Sequence, residues 1–259
     1  MADEFMGLDD DLMYNTQTRV PVCLCVDISN SMLVITDFTG AVKTDRTQMV
    51  EGSVSTIWEG GVCRLDELND GIASFYKIVQ ADPVARDAVE LAIVGFKEDA
   101  VIIQDFQNID EAEPSLIGYD LLGDATDMDA GVNKALDLLE QRKAKYKNNG
   151  RDYYQPWLII MSDGDVDASC ISSQTRAKAL EAQNKLVVFN FIVGNSDEKA
   201  GQVLQGYSNL NPPKRIKKGA IDMLFKWIGR SVVRASQSEV GGKPEFTADE
   251  LQSIFDIDL

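Results

Sequence analysis

Val20-Pro21-Val22-Cys23-Leu24-Cys25-Val26-Asp27-Ile28-Ser29-Asn30-Ser31 is an apolar run that ends in an aspartate and two serines at alternate positions. A run without polar alternation suits the middle of a sheet covered on both faces. Oxygen-bearing side chains placed just where such a strand stops suit a hard divalent cation. Mg2+ prefers oxygen ligands in near-octahedral geometry and keeps several waters. Hydroxyls are neutral ligands, so a site built on them leaves much of the metal's field directed outward. Such a site can hold a carboxylate brought by something else.

Outward from that run, strand and helix signals alternate. Leu33–Trp58 mixes β-branched residues with turn signals such as Thr39-Gly40 and Glu51-Gly52, and reads as an inserted hairpin. Leu65, Leu68, Ile72, Phe75 and Val79 keep helical spacing and predict a helix from about Val62 to Gln80. Val89–Phe96 is a second buried strand, with Ala100–Phe106 expected beside it as an antiparallel edge. Further helices are expected over Met128–Tyr146, Ser172–Asn184, Ser196–Leu204 and Ala220–Arg234, with strands at Trp157–Met161 and Leu186–Val193. The alternation predicts an α/β, Rossmann-like doubly wound fold, its sheet mostly parallel with one antiparallel edge strand. In such sheets ligands sit beyond the carboxyl ends of the strands, where strand order reverses.

The domain is expected over residues 19–234, with the hairpin inserted at 33–58. An acidic, irregular arm over 1–18 precedes it and is expected to be flexible. Residues 235–259 read as a Ser, Gly, Lys and Pro linker followed by a short helix. There Thr247-Ala248-Asp249-Glu250 gives a capping-box pattern, and Leu251, Ile254 and Phe255 share one face. A frayed tail and a docking helix are both compatible with that pattern.

Three segments supply oxygen donors that such a sheet would gather: Asp27, Ser29 and Ser31; Thr126, within Asp124-Ala125-Thr126-Asp127-Met128; and Asp163, within Met161-Ser162-Asp163-Gly164-Asp165. On these residues the chain resembles the von Willebrand factor type A family, whose metal-ion-dependent adhesion site has an Asp-x-Ser-x-Ser signature and a downstream Thr and Asp. The resemblance covers roughly residues 19–234. It is nearest to an intracellular bacterial branch associated with tellurium resistance and stress response, in Arg19-Val20-Pro21-Val22, in Phe225-Lys226-Trp227-Ile228 and in the turn Ile192-Val193-Gly194-Asn195-Ser196-Asp197. The resemblance implies that Ser29 and Ser31 contact the metal through their hydroxyls, with Thr126 binding directly or through water. Asp27 and Asp163 would act mainly through water or the serine hydroxyls, and a partner's Glu or Asp would complete the shell. The cofactor expected is Mg2+, with Mn2+ or Ca2+ as alternatives. The partner expected is a protein supplying Asp or Glu, such as a kinase or phosphatase of the same system.

Several positions depart from the family pattern. Asn30 stands between the serines where Gly is common, Ser162 replaces a usual Thr, and Asp127 and Asp129 follow the threonine in place of small residues. These acids add local negative charge. Asp163-Gly164-Asp165-Val166-Asp167 resembles the start of a calcium loop, but the twelfth position is Gln174 and not glutamate. Cys23 and Cys25 lie inside the apolar strand and read as core packing. Lys214-Arg215-Ile216-Lys217-Lys218 reads as a solvated basic loop.

Composition narrows the function. The 259 residues carry a net charge of -17, which argues against nonspecific binding to nucleic acid or an anionic membrane. The absence of histidine removes the usual general base and the Ser-His-Asp and Cys-His arrangements. The four cysteines form no CxxC pair, and free thiols in a reducing cytosol are expected. The start has no basic leader and the chain no apolar stretch of membrane-spanning length, so a cytoplasmic protein is expected. The function expected is a non-enzymatic interaction module. A Mg2+-dependent phosphatase or phosphotransferase with Asp27 as nucleophile, and a structural subunit with a vestigial site, stand as alternatives. Against the enzyme, Ser29 occupies the place where a haloacid-dehalogenase-like site needs a second acid, and no Walker sequence is present.

Overall fold

A six-stranded sheet organises the chain. In the computed structural model, which describes residues 12, 14–50, 53–110, 112–162, 169–194, 198–237 and 247–256, the elements run in the following order. They are β1 (Val20–Asp27), β2 (Ile35–Asp37), β3 (Val42–Val50), β4 (Ser53–Glu59), β5 (Val62–Cys63), α1 (Arg64–Gln80), α2 (Pro83–Ala88), β6 (Val89–Phe96) and β7 (Ala100–Asn108). After these come α3 (Met128–Asn148), β8 (Trp157–Ser162), α4 (Ile171–Ala182), β9 (Val187–Ile192), α5 (Glu198–Gln205), β10 (Lys214–Arg215), α6 (Ile221–Ser236) and α7 (Ala248–Ile254).

Strand order is β10-β9-β8-β1-β6-β7. All neighbours are parallel except β6 and β7, so the fold expected from the alternation is the one observed. The chain leaves β1 toward β6 on one side and reaches β8 on the other. The order therefore reverses at β1, and the crevice beyond Asp27 is where a ligand belongs in such a sheet. Every residue of β1, β6, β8 and β9 is buried, which is why these strands lack polar alternation. Val20, Val22, Leu24 and Val26 pack with Leu65, Leu68, Phe225 and Trp227 of α1 and α6. Cys23 and Cys25 face the other layer, with Val132 and Leu136 of α3 and Ala177 of α4.

Boundaries differ from expectation where local chemistry intervenes. The helix expected from Val62 begins at Arg64, because Val62 and Cys63 pair with β2. The Asp66 carboxylate accepts from the Cys63 N–H at 2.9 Å and caps that start. Within the insertion, β3 and β4 pair as an antiparallel hairpin. Lys214 and Arg215, read as loop, form a short strand on β9. The C-terminal segment docks: Lys217 N–H donates to Ile254 O and Asp256 N–H to Arg215 O, at 2.9 and 3.0 Å. Phe255 is buried and stacks on Phe191, whereas Leu251, expected on the same face, is turned outward. Most of the 1–18 arm lies outside the described residues. Of the rest, Leu12 is buried with its carbonyl accepting from Arg151 Nε at 2.6 Å, and Asn15 Nδ2 donates to Asp87 O at 2.7 Å. No helix among the described residues is long and apolar enough to cross a membrane.

At the end of the sheet opposite the crevice lies a charge cluster that pattern reading did not find. Glu90, second in β6, is fully buried and receives Arg142 Nε and Tyr146 OH on Oε2, both at 2.5 Å. Arg19 Nη1 stands 3.6 Å from Glu90 Oε1 and donates to Asp87 O at 3.0 Å. The carboxylate ties β6 to α3 and to the residue before β1.

All four cysteines are free and buried. Burial pushes the thiols of Cys23 and Cys25 up, and neighbouring acids add to it. A thiol reacts as the thiolate, so both should resist iodoacetamide at pH 8 in the native state and label fully in denaturant. The raised values also set a direction for stability. It is fully present below the unfolded thiol's pKa of about 8.5 and is lost as pH rises from there toward the folded values. A urea midpoint that falls steadily above pH 9 is the expected readout.

Candidate metal centre

Asp27 closes β1 because β1 runs out of neighbours there: Asp27 pairs with Phe96 on one side, and the last β8 partner is reached at Val26–Met161. Asp27 is 1% exposed. Oδ1 accepts the Ser29 N–H at 2.8 Å, an Asx-type turn that bends the chain out of the strand. Oδ2 accepts the Ser162 hydroxyl at 2.9 Å, joining the ends of β1 and β8. Both carboxylate oxygens are thereby held by groups of the domain.

The turn brings the two serines together. Ser29 Oγ and Ser31 Oγ lie 2.8 Å apart, the second within a single 3-10 turn over Asn30–Leu33. Ligands on adjacent corners of an octahedron of radius 2.0–2.1 Å are about 2.9 Å apart, so the pair spans one edge of a Mg2+ shell. The same distance is also a hydroxyl–hydroxyl hydrogen bond, which the two form without an ion. Neutral hydroxyl oxygens backed by a buried carboxylate fit a hard cation and offer nothing to a soft one.

Thr126 is carried on a loop stitched to the serine turn. Gly123 forms a parallel bridge with Ser29, its N–H donating to Ile28 O at 3.0 Å and its carbonyl accepting from Asn30 N–H at 2.8 Å. The Asn30 side-chain amide donates to the Asp124 carboxylate and adds a second stitch. Asp124 N–H donates to Glu98 Oε1 at 3.0 Å, and this holds the Glu98 carboxyl below the usual carboxylate range. At the loop's far end Asp127 N–H bonds Lys97 O at 2.5 Å. Thr126, 5% exposed, sits between these ties. Asp163 and the Asp163–Asp167 motif lie outside the described residues. Ser162, the residue before Asp163, is placed at the crevice by its bond to Asp27.

The acids expected to add charge beside the threonine have structural partners. Asp127 caps α3 by accepting from Ala130 N–H at 2.9 Å. Asp129 Oδ1 accepts from Ser173 N–H and Ser173 Oγ at 2.8 and 2.7 Å, fixing the first turn of α4 to that of α3. Sequence reading missed Arg64. It is 5% exposed, and its Nη1 donates to Ser31 O at 3.3 Å from the first position of α1. A Cβ on Gly194, just past β9, would stand 2.1 Å from Arg64 Nη2, so the glycine makes room for the guanidinium. Nothing in the spacing of Arg64 marks it. Gly194 was legible only as a turn residue.

No family model and no curated protein matches the sequence. Solved structures do match. The vWF domain of the type V pili tip protein Mfa5 from Porphyromonas gingivalis aligns with a TM-score of 0.54 at 10% identity, over 87% of this chain and 99% of that one. BatB from Bacteroides thetaiotaomicron aligns with a TM-score of 0.50 at 16% identity, over 85% and 100%. Proximal thread matrix protein 1 from the mussel byssus gives 0.48 at 14% identity; 84% of this chain spans 49%, about half, of that protein. At these identities the likeness is one of fold.

Proposed function

We propose, from the von Willebrand factor type A fold that this chain has, that it is a non-enzymatic protein-interaction module. A divalent cation, Mg2+ by the hardness of the donors, would be held by Ser29, Ser31 and Thr126, with Asp27 and Asp163 behind them. When bound, the ion supplies an open coordination position for an Asp or Glu side chain of a partner protein. The observation that carries this reading is the serine pair, with hydroxyls 2.8 Å apart at the strand-order switch and buried Asp27 orienting them. The residues do the rest: Asp27 and Ser162 set the turn, and the Gly123–Asp124 stitch holds the threonine loop against it. Asp27's two oxygens each accept a hydrogen bond, which supports a positioning part and not a nucleophile's. The sequence resemblance extends the proposal to a cytoplasmic complex of the stress-response or tellurium-resistance type, with a kinase or phosphatase as partner.

Ser29→Ala/Ser31→Ala tests it. The double variant should keep a urea midpoint near that of the parent, since it exchanges one hydroxyl pair at a surface crevice. Mg2+ affinity, read by calorimetry in phosphate-free buffer, should fall by about 100-fold or more, beyond the range for residues that only support ligands. Partner capture that is the same in EDTA and in Mg2+ would overturn the proposal.

A further inference from the structure

Next to the serine turn lies a cavity of about 200 Å3, walled by the end of β9, the starts of α1 and α6, and the docked tail. It is far larger than one water needs and smaller than the roughly 300–1,000 Å3 of a drug-sized site, so its occupant is small. Its charged lining comprises Arg64, Lys217 and Lys218 against Glu67 and Asp256. Three basic residues line it in a chain of net charge -17. Two long helices also begin at this wall, α1 at Arg64 and α6 at Ile221, and the N–H groups of a first helical turn carry partial positive charge. Burial raises the Glu67 carboxyl above its ordinary value.

We infer that this cavity is a second ligand site, of opposite preference to the metal centre, which binds a small molecule through a phosphate or carboxylate group held by Arg64, Lys217 and Lys218. Arg64 supplies a planar fork matched to an oxyanion, and the two lysines supply point charges. Arg64 also bonds the Ser31 carbonyl, so the occupied cavity and the serine turn share one side chain. Lys217 and Lys218 have mild duties elsewhere: Lys217 Nζ donates to Gln252 O at 2.6 Å, and Lys218 Nζ lies 5.3 Å from the Phe38 ring centre.

The full chain, in EDTA so that the metal centre plays no part, is melted against inorganic phosphate and against malonate. Ionic strength is fixed with sodium chloride. A saturable rise in Tm with either probe, absent with chloride, is the expected result, and the effective probe tells phosphate-bearing from carboxylate-bearing ligands. Lys217→Ala/Lys218→Ala should weaken binding tenfold or more, and Lys217→Arg/Lys218→Arg should retain it. Should the alanine pair fail to fold, Lys218→Gln alone, at an exposed position, should weaken binding severalfold. No shift with either probe beyond that of chloride overturns the inference, as does an unchanged shift in the substituted protein. Neither result bears on Mg2+ binding by the serine pair, which is measured without these anions.

Discussion

Glu90→Ala should lower the free energy of unfolding by about 3–5 kcal/mol, the cost of removing one member of a buried ion cluster. Arg19 and Arg142, 0% and 5% exposed, would be left buried in a low-dielectric end of the sheet without the carboxylate between them. The Tyr146 hydroxyl would lose its acceptor as well. For a domain of this size each kcal/mol moves Tm by about 2–4 °C, so a drop of roughly 10 °C is expected by calorimetry. Arg46→Ala is the contrast. Its pair with Glu59 is 63% and 66% exposed, and its loss should change stability by less than about 1 kcal/mol. Equal effects of the two substitutions would show that the cluster contributes no more than a surface pair.

Gly194→Ala should be the next most damaging change, at about 2–5 kcal/mol. Gly194 has a φ of +84°, a conformation that costs an L-residue about 1–2 kcal/mol. The new Cβ would also stand 2.1 Å from Arg64 Nη2, and crowding a filled site adds about 1–3 kcal/mol. Gly150→Ala separates the two costs. Its φ is +63° with nothing within 4 Å of the new atom, so it should lose only the backbone part. Chemical denaturation of both variants gives the comparison. Because Arg64 holds the Ser31 carbonyl, Gly194→Ala should also weaken Mg2+ binding, whereas Gly150→Ala should leave it unchanged. Equal losses in the two would mean that Arg64 moves aside at no cost.

Much of the architecture was legible because the central strands are covered on both faces. Val20–Val26, Val89–Phe96 apart from Glu90, and Trp157–Met161 are apolar without alternation, and helical spacing separates them. The edges were harder to read. Lys214 and Arg215 form β10 by backbone pairing with β9, and two basic side chains carried no strand signal. Glu90 escaped because its partners lie at positions 19 and 142, and only strand order brings them together. At the crevice, Asp27, Ser29 and Ser31 were readable as a unit since one turn joins them. What fastens the threonine loop was not: the Gly123 bridge and the Asn30–Asp124 contact depend on how β1 and β6 end. The tail's capping box was read correctly, with Thr247 N–H donating to Glu250 Oε2 at 2.9 Å. Its docking depends on Phe255 finding Phe191, a contact no local pattern encodes.

That docking covers one edge of the sheet. Residues 254–256 lie along the outer rim of β10 and occupy N–H and C=O groups that would otherwise template a neighbouring chain. A protein ending at Gln237 would present a bare rim with Phe191 beside it, and intermolecular strand pairing becomes the nearest way to satisfy both. Residues 254–256 thus shield this edge from strand pairing with another chain, and their removal should raise the tendency to pair edge to edge.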